Sequence, residues 1–296
     1  MKTDKSIIWN RNDPKTLDLK AMKVVIVGGT GGIGRAISRF MASQGANVIV
    51  VGRTFRDANI EGIQFIKADL SLMHEAKKVA LKLGEESANL IIFTTGIFAA
   101  PKREVTSEGI ERDLAVSYLS RLIIIEEIVA QLGKNLPSTA LKPRVFIMGY
   151  PGGGQSGSPD DLNAEKSYKP MAAHLNTVAG NEMLVLDFAM RYKKINFFGL
   201  NPGLLPTNIR SNFMGANSLK FRLVEWIVGL VSMRTESYAE RLTPLLVSPD
   251  IENHSGAMFN QKGTAILPSP GFTESYIDKF MIASHALAAQ ALQKRI

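Results

Sequence analysis

A glycine-rich turn between an apolar strand and a helix limits the fold of this chain more than any other feature. Residues 24–27 read Val-Val-Ile-Val, a β-branched run typical of a buried strand. The turn follows directly and leads into a helical pattern, and its residues are Gly28, Gly29, Thr30, Gly31, Gly32, Ile33 and Gly34. Glycines at such a junction allow a tight turn and a close approach of backbone to pyrophosphate. The sequence therefore predicts that these residues bind a dinucleotide at the N-terminus of the helix.

The rest of the chain alternates short apolar strands with amphipathic helices. Further strands are predicted at residues 48–51, 63–66, 90–93, 145–148 and 195–200, and helices at residues 33–43, 72–83, 108–132 and 171–191. Strands that are apolar along their whole length are typical of a parallel sheet covered by helices on both faces. We therefore predict one α/β domain at residues 21–296, with an N-terminal extension at residues 1–20. Its core is a doubly wound parallel sheet of about seven strands, the Rossmann fold.

Composition excludes several classes of protein and of site. The chain is 45% hydrophobic and 21% charged, which favours a globular domain over a disordered chain or a coiled coil. It contains no cysteine, which excludes disulfides, thiolate metal ligands and a cysteine nucleophile. The four histidines lack metal-ligand spacing, so we predict no metal site; they are His74, His174, His254 and His285.

The charge distribution indicates what the surface attracts. The formal net charge is +8, but lysine and arginine are dispersed rather than clustered, so we predict no nucleic-acid partner. Residues 1–10 are polar and lack the apolar core of a secretory signal. No apolar stretch is long enough to span a bilayer, so we predict a cytoplasmic protein without a transmembrane segment.

The end of the second predicted strand indicates which dinucleotide is bound. Folds that prefer NAD place an acidic residue at this strand tip to bind the ribose hydroxyls. Here the tip carries Arg53 instead, and Arg56 follows. A guanidinium can hold a 2′-phosphate through two parallel hydrogen bonds. The sequence therefore predicts NADP(H) as the cofactor, bound in part by Arg53.

Together these motifs resemble the short-chain dehydrogenase/reductase family over about residues 22–267. The spacing of Gly28, Gly32 and Gly34 is similar to the glycine motif of that family. The resemblance implies further cofactor-binding residues, namely Asp69 and Leu70 at the adenine, Thr94, Thr95 and Gly96 after the fourth strand, and Pro202, Gly203 and Thr207 at the nicotinamide. Residues 160–168 and 256–268 resemble the retinol-dehydrogenase-like branch in particular.

The catalytic residues that the resemblance implies are different in this chain. Family members carry an asparagine in the long fourth helix, a serine after the fifth strand and a Tyr-x3-Lys pair on the next helix. Here Ser117 stands at the asparagine position, and either Gly149 or Tyr150 stands at the serine position. The usual Ser-Tyr-Lys set is therefore absent, and we predict an atypical member of the family.

Two registers place different residues at the Tyr-x3-Lys pair. Alignment on residues 160–168 puts His174 at the tyrosine position and Val178 at the lysine position. Counting back from Pro202-Gly203 gives Ala172 and Asn176 instead. We prefer the first register, because a short loop at residues 192–194 can absorb the two-residue difference.

The candidate catalytic residues are His174, Tyr150 and Ser117, and each has an alternative structural role. A histidine can donate a proton near neutral pH without help from a lysine, or it can simply be hydrogen-bonded at a helix end. Tyr150 either binds or protonates a substrate oxygen, or it is a packed loop aromatic. Ser117 either keeps a polar contact behind the site, or it is an ordinary exposed or core serine. The amides at residues 152–154 either bind an oxyanion or only allow the loop to turn.

One segment interrupts the alternation of strands and helices. Residues 206–234 include an apolar and basic amphipathic run at residues 219–233, around Trp226. The run is a helix packed on the domain, a lid over a lipophilic substrate, or a helix at a membrane surface. We adopt the lid as the prediction for residues 206–234.

The sequence predicts an atypical NADP(H)-dependent carbonyl reductase or alcohol dehydrogenase that acts on a mostly apolar small molecule. The alternative keeps the dinucleotide but carries out no net redox reaction, as an isomerase, a cyclase or a cofactor-sensing scaffold. The resemblance also implies a homodimer or homotetramer formed through the helices at residues 108–132 and 171–191.

Overall fold

Eight strands form one sheet in the computed structural model of the chain, which describes residues 1–84, 88–134, 141–203 and 234–294. The strands are β1 (Lys23–Val27), β2 (Asn47–Gly52), β3 (Ile63–Lys67), β4 (Leu90–Phe93), β5 (Arg144–Met148), β6 (Asn196–Leu200), β7 (Met258–Phe259) and β8 (Ala265–Ile266). Their order in the sheet is β3-β2-β1-β4-β5-β6-β7-β8, and every neighbouring pair is parallel except β7 and β8. The order reverses between β1 and β4, and in such folds ligands bind in the crevice beyond the strand ends at that point.

The helices cover both faces of the sheet. They are α1 (Gly32–Ser43), α2 (Met73–Gly84), α3 (Arg112–Leu114), α4 (Ser120–Ile128), α5 (Pro170–Arg191), α6 (Thr235–Val247) and α7 (Glu274–Gln293). A π-helical turn, Ala115–Leu119, joins α3 to α4. Helices α1 and α6 pack together on one face, and α2, α4, α5 and α7 pack on the other.

Strand β1 shows why a fully apolar strand suits the middle of this sheet. Val25 and Val27 belong to the core beneath α2, α4 and α5, whereas Val24 and Ile26 belong to the core beneath α1 and α6. Successive side chains of a strand point to opposite faces, so a strand with helices on both sides needs apolar residues at every position. This packing places the carboxyl ends of β1, β4 and β5 at one edge of the sheet.

The predicted α/β fold with its doubly wound sheet is confirmed, and the strand predictions agree with the structure to within a residue or so. The sheet has eight strands where about seven were predicted, and β7 and β8, which have only two residues each, are the two strands that the predicted ranges did not include. The long helix predicted at residues 108–132 begins only at Arg112, since Gly109 has a φ of +86° and Val105 forms a bridge with Glu111. The predicted lid at residues 206–234 lies almost entirely outside the described residues.

The segment before β1 packs along the far edge of the sheet. Thr3 pairs with Ile266 beside β8, and the indole nitrogen of Trp9 donates to the carbonyl of Gly263 at 2.7 Å. None of the helices in the described ranges combines the length and the hydrophobicity needed to cross a membrane. Across the same ranges, no group of three or more histidine and acidic residues is placed to hold a metal ion.

Candidate active site

The glycine turn after β1 packs against the end of β4. A Cβ added to Gly28 would lie 2.6 Å from the amide nitrogen of Thr95, and one added to Gly34 would lie 2.3 Å from Oγ1 of Thr94. Both contacts are too short for any side chain larger than hydrogen. The amide of Thr94 in turn donates to the carbonyl of Val27 at 2.8 Å. The first and last glycines of the motif therefore let strand, turn and helix approach one another closely.

The N-terminus of α1 has hydrogen-bond donors without acceptors. Gly31 is the N-cap residue, and it has no side chain to cap the helix. In the described part of the chain, the amides of Gly32, Ile33 and Gly34 donate to no acceptor. Free amides at the positive end of a helix dipole are what a pyrophosphate needs, so these residues fit the predicted group. Gly32 has a φ of +49°, a conformation that favours glycine.

Basic residues surround the end of β2. Arg53 is exposed there, and Nη1 of Arg56 donates to the carbonyl of Thr30 in the glycine turn at 3.3 Å. Arg35 is occupied by a bidentate pair with Asp57, at 2.8 and 2.6 Å. The hydrogen bonds from Arg35 lower the pKa of Asp57, so that carboxylate stays ionised. Arg53 and Arg56 are therefore two exposed guanidinium groups at this edge that can take up a further anion.

The other predicted cofactor residues lie along the same edge. Asp69 is exposed and lines an open cleft of about 450 Å³ together with Glu104 and Arg112. Leu70 is buried beside it. Thr94, Thr95 and Gly96 follow β4 directly, and Pro202 and Gly203 follow β6. Gly203 has a φ of +68°, and its amide donates to Asn201 at 3.0 Å. Thr207 lies outside the described residues.

His174 is held near the start of α5 by a carboxylate. Its Nδ1 lies 2.7 Å from Oδ2 of Asp113 on α3, and its ring stacks on Phe98 with 3.9 Å between the ring centroids. Asp113 is fully buried, and the side chain of His174 is 14% exposed. Nε2 of His174 has no hydrogen-bond partner among the residues that the structure describes. The contact at Nδ1 therefore orients the imidazole ring and leaves Nε2 able to form a hydrogen bond with a ligand.

Ser117 connects this pair to the turn that follows β4. Its hydroxyl donates to Oδ1 of Asp113 at 2.5 Å and accepts from the amide of Ile97 at 3.0 Å. Ser117 lies in the π-helical turn, a distortion that occurs frequently at functional sites. The structure thus brings two of the three predicted catalytic residues, His174 and Ser117, into one hydrogen-bonded network with Asp113.

Tyr150 does not belong to that network. Its side chain is 43% exposed in the loop after β5, and its ring lies next to Gly153. Two of the glycine amides in this loop are already used, because Gly152 donates to Glu182 at 3.1 Å and Gly154 donates to Ser269 at 2.9 Å. Those bonds favour the interpretation that the glycines only allow the loop to turn.

Three residues of the site were not predicted from the sequence: Asp113, Phe98 and Arg121. Arg121 is buried, and it donates to the carbonyls of Thr95 and Met148 and to Oδ1 of Asn181. The signal available in the sequence was the four-residue spacing of Asp113, Ser117 and Arg121, which places all three on one side of a helix.

Comparison with known proteins agrees with this geometry. The sequence model of the short chain dehydrogenase family matches residues 22–135. An uncharacterized oxidoreductase from Saccharomyces cerevisiae is 48% identical to this chain, over 99% of this chain and 96% of the relative. The chain belongs to the short-chain dehydrogenase family. An oxidoreductase from Penicillium decumbens, at 23% identity over 89% of this chain and 77% of its own length, is a more distant relative.

Solved structures of the short-chain dehydrogenase family share the fold. A family protein from Francisella tularensis gives a TM-score of 0.62 at 16% identity, covering 81% of this chain and 96% of that protein. An NADH-dependent reductase in complex with NAD gives a TM-score of 0.60 at 16% identity, covering 85% of this chain and 99% of the reductase. The resemblance inferred from the glycine motif is confirmed, and the family is one of oxidoreductases that use nicotinamide dinucleotides.

Proposed function

We propose that this protein is an atypical NADP(H)-dependent oxidoreductase, of the carbonyl reductase or alcohol dehydrogenase type, in which His174 replaces the tyrosine of the family. The observation that carries the proposal is the 2.7 Å contact between Nδ1 of His174 and Asp113. It leaves Nε2 available to a substrate oxygen, next to the ring of Phe98 beyond the end of β4.

The contact with Asp113 determines which nitrogen of His174 can transfer a proton. A carboxylate that accepts from Nδ1–H fixes the tautomer and the ring orientation, as in other histidines that transfer protons. The charged imidazole donates from Nε2 to a carbonyl oxygen, and the neutral imidazole accepts a proton there from an alcohol. A bound nicotinamide would supply the hydride chemistry. Gly32, Ile33 and Gly34 would hold its pyrophosphate through their free amides.

The preference for NADP(H) rests on two exposed arginines. Arg53 at the end of β2 and Arg56 beside the glycine turn are both exposed, so we expect both to bind a phosphate on the adenosine ribose. Arg35 is less available to that phosphate, because its Nε and Nη2 donate to the carboxylate of Asp57. Charge-assisted, bidentate bonds to phosphate are the strongest that a side chain of this kind makes.

The surroundings of His174 favour a mostly apolar small molecule. Phe98 covers one face of the imidazole, and Ala99, Ala164 and Ala173 form a small apolar cluster against Tyr168. Sites for such molecules are lined mainly by apolar groups with a few placed polar ones. The cytoplasmic location, the lid at residues 206–234 and the homodimer or homotetramer stay predictions from the sequence.

One observation favours a non-redox function as a second candidate. Val178, at the lysine position, is apolar and 8% exposed, so it offers no charge to a ribose or to a proton donor. An isomerase, a cyclase or a cofactor-sensing scaffold would need the dinucleotide site but not that lysine.

Turnover distinguishes the two candidates. Purified protein is mixed with NADPH or NADH and a panel of aldehydes and ketones of increasing apolar size, and the nicotinamide absorbance is followed. We expect oxidation of NADPH with at least one apolar carbonyl, and loss of that rate in His174→Gln, which cannot carry the proton. Tight NADPH binding by calorimetry, with no turnover of any carbonyl or alcohol, would favour the non-redox function.

A further inference from the structure

Helices α4 and α5 are buried on all sides within a single chain. Residues 117–125, in the π-helical turn and α4, are buried without interruption, and so are residues 176–185 of α5. Each run is longer than two turns of helix, so its side chains point in every direction around the helix axis. Along these runs neither helix has an open side, although the sequence predicts that a second copy of the chain packs here.

Helix α7 packs against both of these helices. Its residues Ile277, Phe280 and Met281 belong to the same apolar core as the residues of α4 and α5. The hydroxyl of Tyr118, in the π-helical turn, donates to Oγ of Ser284 at 2.8 Å. The ring of Tyr118 meets that of Phe280 edge to face, with 5.9 Å between the centroids. Tyr118, Phe280 and Ser284 are all fully buried, so α7 contacts this region as part of the interior.

Two glycines allow the close approach of these elements. A Cβ added to Gly180 of α5 would lie 2.6 Å from the ring of Tyr118. One added to Gly157, in the loop before α5, would lie 2.8 Å from the ring of Phe280. Both distances are too short for a residue larger than glycine without a shift of the ring. The surface that receives Tyr118 and α7 is therefore already filled to contact distance.

Polar contacts add to this packing at two points along α7. Nζ of Lys279 lies 2.7 Å from Oδ2 of Asp160, and Nε2 of His285 lies 2.6 Å from Oε1 of Glu126 on α4. The second contact is direct evidence that α7 reaches α4 as well as α5. The helix is thus held by its apolar side and by its polar flanks.

The outward side of α7 does not replace the face that it covers. Among the described residues of the helix, the one large apolar side chain that is mostly exposed is Ile282, at 69%. The other exposed residues are polar or small: Glu274, Ser275, Asp278, Lys279, Ala286, Ala289, Gln290 and Gln293. A stable interface buries on the order of 800 Å² on each partner, and charged residues are depleted at its core. This outward side has neither the apolar area nor the composition for such an interface.

We infer that α7 is an internal partner of α4 and α5: it occupies the face that a second copy of the chain would need, and the protein acts as a monomer. The inference takes the place of the homodimer or homotetramer predicted from the sequence, and it does not depend on the role of His174. A second copy could reach α4 and α5 only by displacing α7. Contacts within one chain form without the loss of translational and rotational freedom that association costs, so they are favoured over contacts with a second copy.

The first test measures the mass of the full chain in solution, by light scattering after size-exclusion chromatography, with and without NADPH. We expect the mass of one chain, 32.3 kDa, across the range of protein concentrations. A dimer or a tetramer of the wild type would overturn the inference.

The second test asks whether α7 packs on its own chain. The chain contains no cysteine, so engineered thiols can be crosslinked without background. Glu126→Cys combined with His285→Cys places one thiol on α4 and one on α7, at positions whose side chains are in contact. We expect a short bismaleimide to join them within one chain, as shown by mass spectrometry, with the two single variants as controls. A link between two chains would mean that copies exchange α7, which would overturn the inference.

The third test opens the contact. Phe280→Asp places a carboxylate in a fully buried apolar contact, so we expect α7 to separate from α4 and the chain to associate as its concentration rises. Ile282→Asp is the matched control on the exposed side of the same helix, and it should stay monomeric with the melting temperature of the wild type. Phe280→Ala replaces Phe280→Asp if the latter does not fold. A Phe280 variant that loses the crosslink between positions 126 and 285 and still remains monomeric would overturn the inference, since α7 would then not be what closes this face.

Discussion

The imidazole of His174 is oriented by Asp113, whose Oδ2 lies 2.7 Å from Nδ1 of the histidine. The carboxylate is fully buried, and its other oxygen accepts from Ser117 at 2.5 Å. Both oxygens are thereby fixed, so the ring has one preferred orientation, and its Nε2 has no partner in the described parts of the chain. Orientation by a buried carboxylate is how several unrelated enzymes prepare a histidine for proton transfer.

His174→Ala should lower kcat by roughly 10²- to 10⁴-fold, the span for a positioned acid or base, with little change in dinucleotide affinity. Asp113→Asn should lower kcat by up to about 10⁴-fold, the effect of replacing the carboxylate that orients a catalytic histidine. Steady-state kinetics measures kcat, and calorimetry with NADPH measures the dinucleotide affinity.

Tyr150→Phe provides the comparison for this prediction. The exposed phenol lies outside the Asp113 network, so its loss should reduce kcat less than the loss of His174 does. A larger effect of Tyr150→Phe than of His174→Ala would make Tyr150 the acid and His174 a bystander.

The fold was accessible from the sequence, and a cofactor site could be predicted from it, because both depend on local patterns. Four-residue apolar strands and the spacing of Gly28, Gly32 and Gly34 are read within short windows. Asp113 and Arg121 were not found, because their partners His174 and Asn181 lie about 60 residues away in the chain. The four-residue spacing of Asp113, Ser117 and Arg121 indicates a shared site only once α5 is known to pack against α3 and α4.

Arg53→Asp should weaken NADP(H) binding and reduce or reverse the preference over NAD(H), by about 1.5–3 kcal/mol, the range for a hydrogen bond to a charged group. Arg56→Asp should act in the same direction, since Arg56 lies beside the glycine turn. Lys279→Asp, which changes the net charge equally on α7, is the control. Equal affinity of the wild type for both dinucleotides in calorimetry would contradict the prediction.

Gly32→Val should abolish dinucleotide binding. Gly32 has a φ of +49° at the first residue of α1, and a branched Cβ there would block the approach of pyrophosphate to the free amides. Gly271→Val is the matched control: its φ of +92° brings comparable backbone strain, but a Cβ there meets nothing within 4 Å. Both variants should lose stability, and only Gly32→Val should lose binding. Retained binding in Gly32→Val would mean that the phosphates lie elsewhere.

Glu111 should make the stability of the protein depend on pH. It caps α3 through the amide of Leu114 at 2.8 Å, but its Oε1 is buried without a partner in the described structure. Burial raises the pKa of Glu111 from about 4.5 to about 7. Between these values the unfolded chain has released the proton and the folded chain still holds it, so stability falls as pH rises through this window.

Glu111→Gln keeps an oxygen for the cap and removes the titration. The free energy of unfolding of the variant relative to the wild type should therefore rise between about pH 4.5 and pH 7, by at most about 3 kcal/mol, and stay constant above. Urea unfolding of both proteins at a series of pH values measures this difference, in which the contributions of all other groups cancel. The sign is diagnostic, because a carboxylate stabilised by its cap would make the difference fall with rising pH. A difference that is flat across the window would show that Glu111 is ionised in the folded protein, and that the cap at α3 is made by a charged side chain.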